Sequence, residues 1–236
     1  MTEKHFYEHF QKDQPTRSGQ RLTAALARRI FEFARIKAHD KVMEIGPGRG
    51  AIGEICLEKG LEYFAIEPNR EMAAALEEKG AKVTCAMVPP LPPLDRDFDI
   101  VLMIHVMEHM NSMYDALQIT RQIGQVLRPK GRLIICSPDY LNLRSNFFNC
   151  DFSHNYVTTR RRLEQLLVNA GFTNIKSCYL SGPLAGLPSI LVSALAAWMP
   201  FGLLNAMFAS NKPIHKLYKL QLTFSRAVLI AAEKAD

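Results

Sequence analysis

The sequence has no closely spaced pair of cysteines. Its five cysteines, among 236 residues, occur singly, and three of them lie in apolar, strand-like runs. We therefore expect buried free thiols in a reducing compartment and no disulfide framework. The first residues, Met1-Thr-Glu-Lys-His-Phe-Tyr, are charged and lack the apolar core of a secretory signal. Both absences predict a cytoplasmic protein.

Internal repeats, low-complexity tracts and an extreme composition are also absent. Hydrophobic residues make up 48% and charged residues 22% of the chain, which is ordinary for one globular domain of this length. The net charge of +6 favours an acidic partner: anionic lipid, a phosphorylated substrate or nucleic acid. Because basic residues are not interleaved with aromatic residues along a stripe, nucleic acid is the least favoured of the three.

Short apolar runs alternate with amphipathic segments along the chain. This alternation predicts right-handed βαβ units around a parallel sheet that is buried on both faces. We expect helices at residues 20–36, 52–59, 70–79 and 159–170. We expect strands at residues 41–45, 63–66, 82–87, 99–104, 132–136, 174–180 and 224–232.

A glycine-rich turn follows the first predicted strand, in Val42-Met-Glu44-Ile-Gly46-Pro47-Gly48-Arg-Gly50. Glycines there allow a sharp turn and the close approach of a ligand. The Lys and Ser or Thr of a Walker loop are missing, so a nucleoside triphosphate is disfavoured. Gly46, Gly48 and Ala51 also satisfy a dinucleotide fingerprint, so this turn alone leaves a nicotinamide cofactor open.

The following segments have a more specific pattern. The second strand ends in an acid, in Phe64-Ala-Ile-Glu67-Pro68, and a fourth strand and turn read Phe98-Asp-Ile-Val-Leu-Met-Ile104-His105-Val-Met-Glu108-His109. A fifth strand follows, in Gly131-Arg-Leu-Ile-Ile-Cys-Ser-Pro138. Over roughly residues 20 to 180, this ordered set resembles the class I S-adenosylmethionine-dependent methyltransferases, in particular the branch acting on small molecules and lipids.

The resemblance implies a seven-stranded, Rossmann-like α/β sheet, mostly parallel, with an antiparallel last strand and helices on both faces. It also implies S-adenosylmethionine as cofactor, with Glu67 on its ribose and Gly46 and Gly48 beneath its methionine part. Where the family usually has an adenine-binding acid, this chain has Met87. The implied cofactor residues are Glu44, Gly46, Pro47, Gly48, Gly50, Glu67, Pro68, Met87, Val88 and Ile104.

Two histidines are candidate general bases. His154 lies in a stretch that resembles the D-x-x-H-x-x-x-[ST] pattern of many relatives, and His105 ends the fourth strand, on the edge where parallel sheets bind ligands. Glu108 and His109 are expected to orient the local helix. We expect no metal ion. A small-molecule acceptor is favoured over a nucleobase, because no D/N-P-P-Y motif follows the fourth strand.

The last unusual feature is a stretch of 35 residues, from Ser177 to Asn211, without Asp, Glu, Lys, Arg or His. We interpret residues 181–222 as a hydrophobic helical insertion between strands six and seven that docks on a membrane and admits a lipidic or lipid-linked acceptor. A buried helical pair or a dimer interface is the alternative. Pro188 and Pro200 argue against a full membrane span.

The predicted organisation is a lid over residues 1–19, the core over 20–180, the insertion over 181–222 and the last strand over 223–236. We expect a cytoplasmic protein at the inner membrane face, without an obligate protein partner. Two other activities stay open: a nicotinamide-dependent oxidoreductase, and a catalytically silent, membrane-docked module that binds the cofactor.

Overall fold

The computed structural model describes residues 16–94, 97–208 and 210–235. Its centre is one sheet with the strand order β3-β2-β1-β4-β5-β8-β6-β7. The strands are β1 (Lys41–Ile45), β2 (Glu62–Ile66), β3 (Lys82–Thr84), β4 (Phe98–Ile104), β5 (Leu127–Pro138), β6 (Phe172–Ser181), β7 (Leu184–Ala185) and β8 (Arg226–Lys234). The predicted Rossmann-like class is confirmed. The predicted lid lies almost wholly outside the described residues.

The sheet differs from the prediction in three details. An eighth strand, the two-residue β7, pairs with the end of β6. Strand β3 stops at Thr84, three residues early, so Met87 lies in the following loop. Strand β5 begins at Leu127 instead of Arg132, because Leu127 already pairs with Phe98 across a register shift. Strand β8 is antiparallel to both of its neighbours, β5 and β6, as expected for the strand that ends this fold.

Helices cover both faces of the sheet. They are α1 (Arg17–Ala34), α2 (Ala51–Glu58), α3 (Arg70–Glu78), α4 (Met113–Val126), α5 (Tyr140–Leu143), α6 (Asn146–Asn149), α7 (Arg160–Asn169), α8 (Leu187–Trp198), α9 (Phe201–Met207) and α10 (Lys212–Thr223). Alternate residues of β4 point to opposite faces, so Leu102 packs in the core beneath α1 to α3 and Met103 in the core beneath α4 and α7. This double burial explains the continuous apolar runs of the central strands.

The segment between β6 and β8 forms helices α8, α9 and α10, which the structure attaches to the core by buried polar contacts. The Asn142 side chain donates from Nδ2 to Ser193 O at 3.1 Å and accepts from Arg226 N through Oδ1 at 2.8 Å. Within the segment, Gln221 Nε2 of α10 donates to Ala196 O and Met199 O, which joins α10 to the end of α8. We call residues 187–208 the apolar platform, because these contacts hold its inner side while its large apolar side chains face outward.

Candidate functional site

The glycine turn connects β1 to α2 at the carboxyl edge of the sheet, and two of its glycines have different roles. Gly46 has φ +67°, and a Cβ there would lie 2.6 Å from Val106 Cγ2, so packing allows only glycine. Gly48 has φ +55°, and a Cβ there would meet nothing within 4 Å. Open space beside Gly48 leaves its backbone accessible to a ligand.

The carboxylate of Glu67 lies directly beside this turn. It accepts hydrogen bonds from Gly48 N at 3.0 Å and from Asn69 N at 2.9 Å, one on each oxygen. Burial raises the pKa of Glu67, although both backbone hydrogen bonds act in the opposite direction. A carboxylate offers about four lone-pair sites. Glu67 therefore keeps capacity for two further donors, such as the hydroxyls of a ribose.

Glu44 is placed deeper than Glu67, in the core between β1 and β2. It is buried, and its Oε2 accepts a hydrogen bond from the Tyr63 hydroxyl at 2.7 Å. Burial raises the pKa of Glu44 to about 7, against the effect of the Tyr63 bond and with a contribution from nearby Glu67. Glu44 of this pair lies two residues before Gly46, the first glycine of the turn.

The other predicted cofactor residues line the same edge of the sheet. Gly50 is buried and begins α2 with φ +76°. The half-buried residues are Pro47, Pro68, Val88 and Ile104. Met87 is 42% exposed in the loop after β3, so its side chain is accessible as an apolar contact.

His105 follows β4 with its side chain at the surface and one ring nitrogen fixed. Its backbone has φ +56°, an uncommon conformation for a residue other than glycine. Its Nδ1 donates to Glu108 Oε1 at 3.2 Å, and Ser137 Oγ donates to Glu108 Oε2 at 2.6 Å. Burial opposes the charge of Glu108, yet the hydrogen bond and positive charge of His105 lower the pKa of this carboxyl below its usual value.

His154 is buried, unlike His105. Its Nδ1 lies 2.7 Å from Phe147 O, and its ring packs against those of His109 and Phe147 at centroid distances of 5.0 and 4.8 Å. Burial lowers the pKa of His109, with a further contribution from His154, although Glu108 acts in the opposite direction. The structure thus places both histidines near Glu108: His105 contacts its carboxylate directly, and a ligand atom of His154 lies within 4.8 Å of one of Glu108.

A cleft of about 270 Å³ runs from His105 to the base of the insertion. Leu22 and Leu26 of α1 form one wall, and Leu180 of β6 and Leu222 of α10 form another. Thr23, Thr223 and Ser225 add hydroxyl groups to this mainly apolar lining, and His105 adds an imidazole. A molecule with an apolar body and a few polar groups matches this arrangement.

Sequence reasoning missed Ser137 and did not anticipate the pair formed by Tyr63 and Glu44. Ser137 belongs to an apolar strand, where a lone buried hydroxyl carries no periodic signal. The three-residue spacing of His105 and Glu108 was visible, but spacing in a turn does not fix which side chains meet. The roles of the predicted site residues remain predictions.

Comparisons with known proteins support one family. A family model described as a methyltransferase domain matches residues 10–177. The ribosomal RNA small subunit methyltransferase A of Maridesulfovibrio salexigens is 42% identical over 55 residues, which are 23% of this chain and 21% of that protein. The chain thus spans about a fifth of the length of this curated relative.

Solved structures show the same fold at low identity. A chain in the complex of the Haloferax volcanii Trm112 methyltransferase activator with a methyltransferase has a TM-score of 0.70 and 13% identity, covering 98% of both chains. Haemonchus contortus phosphoethanolamine N-methyltransferase 2, solved with phosphomonomethylethanolamine and S-adenosylhomocysteine, has a TM-score of 0.64 and 18% identity, covering 92% of this chain and 53% of that one.

Proposed function

The chain belongs to the class I S-adenosylmethionine-dependent methyltransferases, and from this we propose that it methylates a lipidic or lipid-linked acceptor at a membrane surface. Family membership excludes the alternative of a nicotinamide-dependent oxidoreductase, which the glycine turn alone did not exclude. The acceptor, its reacting atom and the membrane are the parts that we propose.

The carboxyl edge of the sheet fits S-adenosylmethionine. Gly48 leaves its backbone open, and Glu67 has lone pairs free for two ribose hydroxyls. Hydroxyl donors would also compensate the burial that raises the pKa of Glu67. When bound, the cofactor supplies an electrophilic methyl group on a sulfonium. The chain's own residues must then align the acceptor and exclude water.

The cleft at His105 is the proposed acceptor site. For a hydroxyl acceptor, the proposed base is the ring nitrogen of His105 that does not contact Glu108. Burial opposes the charge of His105, yet its contacts with Cys136 and Glu108 raise the pKa of the ring well above its usual value, so the ring takes a proton only at a pH high enough to leave it neutral. The buried Glu108 fixes the ring orientation of His105, as a carboxylate does for catalytic histidines in general. His154, which the sequence favoured as the base, is buried and is not among the residues that line this cleft.

The observation that carries the membrane proposal is the inverted polarity of α8. Ser189 and Ser193 are fully buried on its inner face, whereas Leu191 is 66% and Trp198 85% exposed. A surface helix of a protein surrounded by water has the opposite pattern. The outward apolar side chains of the platform are Leu187, Ile190, Leu191, Leu195, Trp198, Met199, Leu203, Met207 and Phe208.

The platform is long and apolar enough to cross a membrane by length and composition alone, over Leu187–Met207. It is nevertheless broken into α8 and α9 between Trp198 and Phe201. Both ends of the insertion return to the same edge of the sheet, since Ser181 pairs with Arg226. A helical pair lying in the interface satisfies both facts, because a single crossing would separate these ends.

Helix α10 adds positive charge next to the platform. Lys212, Lys216 and Lys219 are exposed on a helix that has no acidic residue. Each cation near an anionic leaflet contributes on the order of 1 kcal/mol, and each newly buried large apolar side chain contributes roughly 1.5–3 kcal/mol. The two contributions together favour an anionic bilayer.

Flotation with anionic liposomes tests the docking. We expect the intact protein to float and the double variant Leu191→Glu with Leu195→Glu to remain at the bottom of the gradient. The matched control is Met113→Glu with Val168→Glu, which adds the same charge at exposed apolar positions on α4 and α7. Equal flotation of the platform variant, or no flotation of the intact protein, would refute the membrane role.

The acceptor class requires a separate experiment. Labelled S-adenosylmethionine is incubated with the protein and a total membrane extract, and the label is then followed into the lipid, RNA and protein fractions. Label in lipid that requires His105 supports the proposal. Label in RNA would instead indicate an RNA methyltransferase, like the ribosomal RNA methyltransferase relative. Cofactor binding without methyl transfer to any fraction would indicate a catalytically silent binding module.

A further inference from the structure

Three potential metal ligands meet beside His105. One ligand atom each from Glu108, His109 and His154 lies within 4.8 Å of the other two. His105 and Ser137 hold Glu108, and the loop between α6 and α7 carries His154. The cluster therefore joins the turn after β4 to that loop, next to the proposed acceptor cleft but outside the cofactor edge.

The hydrogen bonds of His109 fix its tautomer. Ser153 Oγ donates its single proton to Asp151 Oδ1 at 2.7 Å. Ser153 Oγ must therefore act as the acceptor in its 2.6 Å hydrogen bond with His109 Nδ1. The proton of a neutral His109 ring is therefore on Nδ1, and Nε2 carries a lone pair. The chain of Asp151, Ser153 and His109 has the form of a carboxylate-linked histidine that binds a metal.

His154 has the same tautomer for a different reason. A carbonyl oxygen only accepts, so His154 Nδ1 must donate to Phe147 O across 2.7 Å. Its Nε2 then carries a lone pair in a residue that is only 8% exposed. A neutral His154 can therefore offer this lone pair to an ion shared with Glu108 and His109, because one ligand atom from each of the three residues lies within 4.8 Å of the other two.

Glu108 is oriented as firmly as the two histidines. Ser137 donates to one of its oxygens and His105 to the other, which leaves about two of its four lone-pair sites for a ligand. All three side chains are thus held by a second group: Glu108 by Ser137 and His105, His109 by Ser153, and His154 by a backbone carbonyl. Metal ligands are held in this way in general.

We propose that Glu108, His109 and His154 bind one divalent transition-metal ion. Two neutral imidazoles with one carboxylate suit zinc or iron(II) and leave a coordination position open for a further ligand. Two ligands about 2.1 Å from a tetrahedrally bound ion are about 3.4 Å apart. The three ligand atoms lie within 4.8 Å of one another, so side-chain rotations would have to shorten the longest separation by up to about 1.4 Å on metal binding.

This site has a direct relation to the acceptor cleft. His105 lines the cleft and contacts Glu108, so one side chain separates the proposed metal site from the cleft. Metal binding itself does not depend on the proposed function, because a chain that methylates no lipid would still bind the ion.

The test titrates the whole protein, first freed of metal by a chelator, with zinc(II) alone. We expect one equivalent to bind, and binding at least tenfold weaker in His109→Gln and in His154→Gln. The control His39→Asn changes an exposed histidine elsewhere and should bind as the wild type does. Binding of no zinc by the wild type, or equal binding by all four proteins, overturns the proposal.

Cobalt(II) gives a second measurement that needs no variant. Bound by two imidazoles and a carboxylate, it should develop visible absorption bands that saturate at one equivalent and disappear when zinc is added. An unchanged spectrum of free cobalt(II) would contradict the site even if the histidine variants failed to fold. Methyl transfer is not measured in either experiment, so failure of the metal site and failure of the proposed function are distinguishable.

Discussion

The hydroxyl of Tyr63 donates a hydrogen bond to the carboxylate of Glu44 across 2.7 Å, between two adjacent strands of the buried sheet. Burial raises the pKa of Glu44 from 4.5 to about 7, so this carboxyl is half protonated near neutral pH. It also raises the pKa of Tyr63 well above its usual value, with a further contribution from the charge of Glu44. A group that titrates in the physiological range thus lies two residues before the first glycine of the turn.

Glu44 should therefore make the free energy of unfolding depend on pH. Its contribution is fully present below the unfolded pKa of 4.5 and is lost as the pH rises through about 7. The shift corresponds to about 3 kcal/mol between these limits. Urea unfolding at pH 5 and pH 8 should show that Glu44→Gln loses less stability over this range than the wild type.

A second variant, Tyr63→Phe, should change the pH dependence of stability in the opposite direction. Tyr63→Phe removes a hydrogen bond that lowers the pKa of Glu44, so its loss of stability between pH 5 and pH 8 should exceed that of the wild type. If both variants follow the wild-type pH dependence, the titrating group lies elsewhere.

Replacing Glu67 should weaken cofactor binding more than it weakens the fold. Glu67→Ala removes the acceptor for two ribose hydroxyls, and each hydrogen bond to a charged group contributes roughly 1.5 to 3 kcal/mol. Calorimetric titration with adenosylhomocysteine should show a Kd raised by at least tenfold. Glu62→Ala, an acid at the opposite end of the same strand, is the control and should bind normally.

The two glycines of the turn should separate stability from binding. Gly46→Ala puts a methyl group 2.6 Å from Val106 at positive φ, so its melting temperature should fall clearly. Gly48→Ala meets no atom, so its stability cost should be limited to backbone strain, about 1 kcal/mol. Adenosylhomocysteine binding should nevertheless decrease in Gly48→Ala, because the methyl group occupies the open side. Equal melting temperatures would contradict this division.

The proposed N-terminal lid predicts protection by ligand. The start of α1 lines the acceptor cleft through Gly19, Leu22 and Thr23. The aromatic residues Phe6, Tyr7 and Phe10 precede α1 in the sequence. We expect cleavage near residue 10 to slow when adenosylhomocysteine is bound. Cleavage at the same rate with and without the ligand would indicate an ordinary terminus.

The sheet could be predicted from the sequence because its signals are local. A run such as Ile100 to Ile104 reads as a doubly buried strand, and the glycine turn marks the strand that it follows. Strand β7 could not be predicted, since two residues carry no periodicity. The end of β3 depends on pairing with β2, which offers only three partners, from Phe64 to Ile66.

The candidate site was less predictable, because tertiary contacts determine it. The sequence identified His105 and His154 as candidates and placed His154 first because of its motif. The structure distinguishes them by exposure, since His105 lines a cleft and His154 is buried. Composition identified the apolar segment at residues 181–222. Only the fold shows that α8 turns its serines inward and its leucines outward, since a helix with low amphipathicity does not reveal which face packs.

The pairing of Ser181 with Arg226 brings the two ends of the insertion together on neighbouring strands. A short turn would be long enough to connect β6 directly to β8, as in any antiparallel pair. Residues 182–225 can therefore be exchanged as one segment: the other seven strands, the glycine turn and Glu67 can stay unchanged while a different insert forms its own wall of the cleft. Under the proposed function, acceptor choice could be changed by replacing one contiguous segment, without altering the residues proposed to bind the methyl donor.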